Sequence, residues 1–229
     1  MAIVLAFSQQ TTYATDCSVQ PSGVTGTQIT VLFDTMPGNQ PNTYGNTLYL
    51  WQTGAQIIPA NTPPMNSQLI GANQPNGSWA FMSLTVTTEA YLVGLAVGND
   101  PSNIVSTVFI PATGEGAANP VTFDSSIQVT SSMATSVTFA YVTPPGQNPL
   151  SQGDWVGLWQ GQVEGALYSI PPTWAAQVGT GASQGNWGLN LVSGGIQRGM
   201  IYTLGYFKGG WNTQKPQQTT LACATTFFG

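Results

Sequence analysis

Short runs of alternating apolar and polar residues fill most of this chain. In residues 27–34 (TQITVLFD), Ile29, Val31 and Phe33 fall on one side; in residues 135–142 (TSVTFAYV), Val137, Phe139 and Tyr141 do the same. A period of two is that of a β-strand with one buried face. Further runs read as strands are LYLW, WAFMSLTV, YLVGLAV and STVFIP in the first part, and VGLW, WGLNLV, MIYTLGYF and TTLACATTFF in the second. The opening MAIVLAFSQQ has no basic residue ahead of its apolar run, and it predicts a first strand rather than a signal peptide. Pro and Gly interrupt nearly every window long enough for a helix, so no helix is predicted. About seven short strands per hundred residues, separated by turn residues, predict an all-β Greek-key sandwich of the immunoglobulin-like kind.

The chain also repeats itself at an offset of 108. Over positions 16–86, 18 residues are identical to those 108 positions later, without a gap. They include Asp16/Asp124, Thr35/Thr143, Pro37-Gly38/Pro145-Gly146, Gly45/Gly153, Leu50-Trp51-Gln52/Leu158-Trp159-Gln160, Pro63-Pro64/Pro171-Pro172, Gly71/Gly179 and Trp79/Trp187. Beyond Val86 the register slips by three, pairing YLVGLAVG with YTLGYFKG. The pattern is that of an internal duplication giving two tandem sandwiches, over 1–112 and 113–229, joined through IPATGEGAANP (110–120).

Within the second copy, GDWVGLW (153–159) resembles the Asp-Trp-Val-Gly-aliphatic-aromatic strand of SKICH-type immunoglobulin-like domains. TSVTFAYV before it and MIYTLGYF after it fit the same strand order. The resemblance implies an Ig-like module that engages other proteins and has no active site. In the first copy Asn46-Thr47 replaces Asp-Trp, so the motif is absent there.

Composition narrows the function classes. Only 5% of residues are charged, with three basic side chains (Arg198, Lys208, Lys215) against eight acidic ones. That excludes an electrostatic footprint for nucleic acid, and it leaves a neutral Ser/Thr/Asn/Gln/Gly surface with little repulsion between copies. No apolar run is long enough to span a membrane as a helix. The expected location is cytoplasmic or non-classically secreted. Cys17 and Cys223 lie near opposite ends of the chain: either both are thiols, or a bridge brings the ends together.

There is no histidine, so nucleophiles activated by His are excluded and the commonest metal ligand is missing. The acids are scattered; Asp154 and Glu164, near Trp155 and Trp159, are the one pair with glycosidase potential. The reading is a non-enzyme without cofactor or metal. Trp51 and Trp159 are expected in the sandwich cores, with Trp79 and Trp187 opening core strands after a turn. The candidate ligand-binding residues are Asp154, Trp155, Trp174 and Trp211 in the second copy, with Tyr44 and Asn46 in the first. Aromatic faces and amide side chains suit sugars. A lectin-like protein of two modules is therefore the first expectation. A self-assembling lattice, coat or inclusion protein is the second, and an Ig-like adaptor on a protein surface the third.

Overall fold

A computed structural model describes residues 10–113, 119–192 and 194–229. The strand predicted at the very start falls on residues 1–9, and the middle of the predicted linker on 114–118; both lie outside the described residues. The first half contains β1 (Thr11–Ala14), β2 (Asp16–Ser18), β3 (Val24–Thr25), β4 (Gln28–Asp34), β5 (Thr47–Gln52), β6 (Asn66–Leu69), β7 (Asn76–Phe81), β8 (Tyr91–Ala96) and β9 (Ile104–Ile110). The second contains β10 (Val121–Asp124), β11 (Ser126–Met133), β12 (Ser136–Val142), β13 (Trp155–Gln160), β14 (Trp174–Gln177), β15 (Gln184–Asn190), β16 (Ile201–Phe207) and β17 (Leu221–Phe228).

In the first half a sheet of β2, β4, β7 and the short β3 faces a sheet ordered β9-β8-β5-β6. In the second half β11-β12-β15 faces β17-β16-β13-β14. All pairings are antiparallel. Three strands against four in the second half, with the short β3 added to the small sheet of the first, is the immunoglobulin-like sandwich predicted from the alternation. The predicted inward faces are inward: Ile29, Val31 and Phe33 pack with Leu48, Leu50, Tyr91 and Val93, while Val137, Phe139 and Tyr141 pack with Val156, Leu158 and Leu204.

The register refines the repeat. Strands β4, β5, β6 and β7 match β12, β13, β14 and β15 at the offset of 108, and β8 matches β16 at 111, the slip of three read above. The earliest strands differ. Asp16 pairs with Asp34 in the first half, whereas Ser126 pairs with Val142 in the second, so Asp16 corresponds to Ser126 and not to Asp124. The first half has two more residues between these strands, taken up by a 3-10 turn at Pro21–Gly23 and by β3.

The sequence reading did not foresee how the halves are joined. Strand β1 does not pair within its own half. It lies on β17, with Thr11 opposite Thr226 and Ala14 opposite Cys223. Strand β10 in turn lies on β9 of the first half, with Val121 opposite Phe109 and Asp124 opposite Ser106. Each half therefore contributes its first strand to the other half's large sheet, making both large sheets five-stranded. The cysteines sit at these crossings as buried free thiols, not as a bridge. Cys17 faces Ser106, 3.2 Å from its hydroxyl, and burial raises its thiol to about 12. Burial also raises the Cys223 thiol.

A second link explains the repeated turns. Pro37-Gly38 packs against the loop after β13, and Pro145-Gly146 packs against the loop after β5, where the Ile58 amide donates to the Pro145 carbonyl at 3.0 Å. Gly146 has φ +96° and a Cβ there would stand 2.6 Å from the Ile58 carbonyl oxygen; Gly38 has φ +87° and meets the Gly165 carbonyl at the same distance. Both positions demand glycine for backbone conformation and for space.

No helix of eight residues or more occurs among the described residues, but two single turns were missed: α1 (Pro41–Tyr44) and α2 (Pro149–Gln152). Proline opens each, and a left-handed glycine, Gly45 or Gly153, closes each. The Pro/Gly spacing read as an interruption of helices is here the signature of very short ones.

Gly146→Ala is expected to lower stability by about 1–3 kcal/mol, from left-handed strain plus the clash with Ile58. The midpoint of thermal unfolding should fall by roughly 2–10 °C, and calorimetry measures it. The carboxyls of Asp16 and Asp124 are both raised, Asp16 by burial and by the charges of Asp124 and Asp34, Asp124 by burial. Groups with folded values above their unfolded ones add stability at low pH and lose it as pH rises through the folded values. Thermal stability should thus increase as pH falls from neutral through the raised values of these two carboxyls, and Asp124→Asn should flatten that slope.

Candidate functional site

The repeated motif Leu-Trp-Gln is structural in both halves. Trp51 and Trp159 are each only 2% exposed, as expected, but they do not lie between the sheets. Alternation along β5 and β13 gives Leu48/Leu50 and Val156/Leu158 to the sandwich cores, and turns Trp51 and Trp159 to the outer face of each large sheet. There each indole donates to a carbonyl of the loop that follows its strand: Trp51 to Thr62 at 3.0 Å, Trp159 to Ile170 at 2.8 Å. Each tryptophan thus pins a loop over its own sheet. The Gly/Trp pairs have the same character: Trp79 lies against Gly71, and Trp187 against Gly179.

Three of the six candidate ligand residues are inaccessible. Trp155, the indole expected to be exposed, is 0% exposed and stacks on Phe207 with centroids 4.0 Å apart. The outer face it occupies is covered by residues 164–168, Met36 of the first half and Trp211. Asp154 is fully buried and forms an ion pair with the equally buried Lys208. Its carboxylate also accepts from the Tyr206 hydroxyl at 2.9 Å and the Gly209 amide at 2.8 Å. Burial pushes the Asp154 carboxyl up and the Lys208 ammonium down, and each charge opposes the other's shift. Asn46, which replaces Asp154 in the first half, is buried and accepts from the Asn39 amide. The residue matching Lys208 there is Val97. The charge pair therefore belongs to the second half alone.

The other three differ. Trp174 opens β14 and packs, half-buried, against the sandwich core, so it is not a free loop aromatic. Trp211 is half-buried over Trp155, with centroids 6.2 Å apart. Tyr44 is half-exposed and lines an open cavity. The glycosidase pair does not form as one site: Asp154 is held by Lys208, while Glu164 accepts from Tyr13 and Gln162. Those two hydrogen bonds hold the Glu164 carboxyl below its usual value.

What the structure does bring together is a groove between the halves. One cavity of about 470 Å³ is lined by Asn42, Thr43, Tyr44, Leu69 and Asn99 from the first half, and by Gln217 and Thr219 from the second. A second, of about 520 Å³, shares Gln217 and Thr219 and continues along Tyr168, Pro171, Pro172, Gln214, Lys215 and Pro216. Tyr44 and Tyr168 stack across the boundary at 5.4 Å. The Tyr168 hydroxyl is buried and has no hydrogen-bond partner in the protein, and burial raises its ionisation well above the ordinary phenol value. A larger hollow of about 630 Å³ at the other end of the first half has polar walls, with Phe109 the aromatic and Glu89 the charged residue among its described lining.

Of the groove, the sequence reading found only Tyr44. A signal for the rest was present. Offsets rise from 111 between β8 and β16 to 117 between β9 and β17, so the second half carries six additional residues in the loop between its last two strands. That loop, within GGWNTQKPQQTT, supplies Lys215, Pro216 and Gln217.

Lys208→Val is expected to destabilise the protein by about 3–5 kcal/mol, because Asp154 is left buried and unpaired. Adding Asp154→Asn copies the first half and should restore a large part of that loss, since Tyr206 and Gly209 still have an acceptor. Urea denaturation of the single and double variants measures it.

No family model matches the chain, and no curated protein does. Among solved structures it is similar to a Salmonella alpha-2-macroglobulin variant, at 12% identity and a TM-score of 0.27, covering 94% of this chain and 16% of that one. It is also similar to the BSP domain of a biofilm-associated protein, at 12% identity and a TM-score of 0.24, covering 87% of this chain and 27% of that one. The chain thus spans less than a third of either protein's length.

Proposed function

We propose that this protein is a non-catalytic saccharide-binding protein and that the groove between its halves is the site. The observation that supports this is the make-up of the walls: amides from Asn42, Asn99, Gln214 and Gln217, hydroxyls from Thr43 and Thr219, and flat apolar surface from Tyr44 and three prolines. Amides and hydroxyls match the mixed donors and acceptors of sugar hydroxyls. Ring faces and prolines cover the C–H faces of a pyranose. Residues from both halves are needed, so the reading is one site per chain in place of one per repeat. Among the described residues Lys215 is the only charged one lining either cavity, which favours neutral or acidic sugars over basic ligands.

A second reading, a self-assembling structural protein, is favoured by the near-absence of surface charge and by exposed apolar side chains such as Val192, Met133 and Met82.

A glycan array followed by calorimetric titration tests the first reading. One sugar class should bind, and Tyr44→Ala and Gln217→Ala should each weaken it about tenfold or more, a loss of about 1.4 kcal/mol. No binding to any neutral or acidic glycan overturns the reading.

A further inference from the structure

The two exchanged strands are held in unlike ways. β10 follows β9 in the chain and pairs with it as a hairpin, so its place is secured by local connection. β1 pairs with β17 across 215 positions of sequence. A single residue, Thr15, joins β1 to β2, which belongs to the other half.

Residues 10–14 clasp the open edge of the second sandwich. The Gln10 side chain donates to the Val129 carbonyl at 2.7 Å and accepts from the Val129 amide at 3.0 Å, pairing with the free edge of β11 as another strand would. Thr11–Ala14 pair with the edge of β17, and the Tyr13 hydroxyl donates to Glu164 at 2.9 Å. Little apolar surface secures this clasp: Thr11, Thr12 and Ala14 are exposed and Tyr13 is only partly covered. At its root, Asp16 faces Asp34 across the strand pair, with Asp124 close by, so like charges meet beside the hinge.

We propose that the edge formed by β11 and β17 is an assembly site that takes residues 10–14 of a second copy of this chain. The intramolecular clasp and the intermolecular one make the same hydrogen bonds, so their balance is set by concentration and by the hinge. A one-residue hinge between β1 and β2 favours exchange, and a chain of three basic and eight acidic side chains, of which Lys208 and Asp154 are buried, has little surface charge to repel another copy. Donor and acceptor lie on different halves. Two copies that exchange these residues reciprocally close as a dimer, and one-way exchange propagates head-to-tail into chains or rings. The inference is independent of the saccharide reading, because the clasp and the groove share no residue.

The test uses two full-length single variants, Thr11→Cys and Thr226→Cys, which place thiols on directly opposed positions. They are mixed and oxidised at rising concentration, up to about 1 mM, the scale of a short tether's effective concentration. A mixed disulfide dimer that grows with concentration, exceeds either variant alone, and is suppressed by excess peptide of residues 10–15 (QTTYAT) is the expected result. Light scattering on the unsubstituted chain serves if either variant fails to fold: its mass should rise with concentration and fall to that of the monomer with the peptide. No mixed disulfide, or for the unsubstituted chain a monomeric mass throughout, including after a refolding cycle at high concentration, overturns the proposal.

Discussion

Ladder hydrogen bonds between Thr11–Ala14 and Leu221–Phe228, and between Val121–Asp124 and Ile104–Ile110, tie each half of this protein to the other. Each first strand begins on one half's large sheet and continues, one residue later, on the small sheet of the other. Neither sandwich keeps both its edges without its neighbour. The crossing also fixes where the Pro-Gly turns fall, and so which loops they press upon. The buried chain from Cys17 through Ser106 to Asp124 runs across the junction, and it places polar groups where two backbones meet.

Pressing those loops down has a consequence for the aromatic residues. Both large sheets are apolar on both faces, so an uncovered outer face would leave Trp51, Trp155 and Trp159 in water. Each half covers its own outer face with the loop after β5 or β13, anchored by the repeated tryptophan and clamped by the other half's Pro-Gly turn. Motif residues that look like a sugar platform in the sequence are thereby consumed in packing. Burying a large aromatic side chain stabilises by about 1.5–3 kcal/mol, a strong reason for these repeats to be structural.

The proposed saccharide site lies where the repeat fails. The second half has an Asp154–Lys208 pair where the first has Asn46 and Val97, and six more residues in one loop. The pair anchors the base of that loop, since Lys208 and Gly209 begin it and both engage Asp154. The loop then reaches toward α1 and Asn99 of the first half and closes the groove with Gln217 and Thr219. Chain order leaves one clasp built as a hairpin and the other built from distant sequence, the difference on which the proposed exchange with another copy rests.

Alternation of apolar residues determined the strands, their inward faces and the sandwich class, because a period of two is a local property of the chain. The offset of 108 and its slip to 111 were likewise legible and agree with the register from β4 to β16. The earliest strands were matched two residues out, since identities at Asp16/Asp124 outweighed an insertion that only pairing reveals. What the sequence left open was which side of a doubly apolar strand faces the core, and which half's sheet a first strand joins. Trp155 read as exposed because its counterpart Thr47 is small and polar; Phe207, Leu167 and Trp211 of its own half and Met36 of the other cover it. Tyr44, a candidate from the sequence, lines a cavity, yet Tyr168 and Gln217 are brought to it only by packing of the two halves. Local pattern is set by neighbours along the chain. Sites built across an interface are set by surfaces that meet only after folding, and those the tertiary structure alone decides.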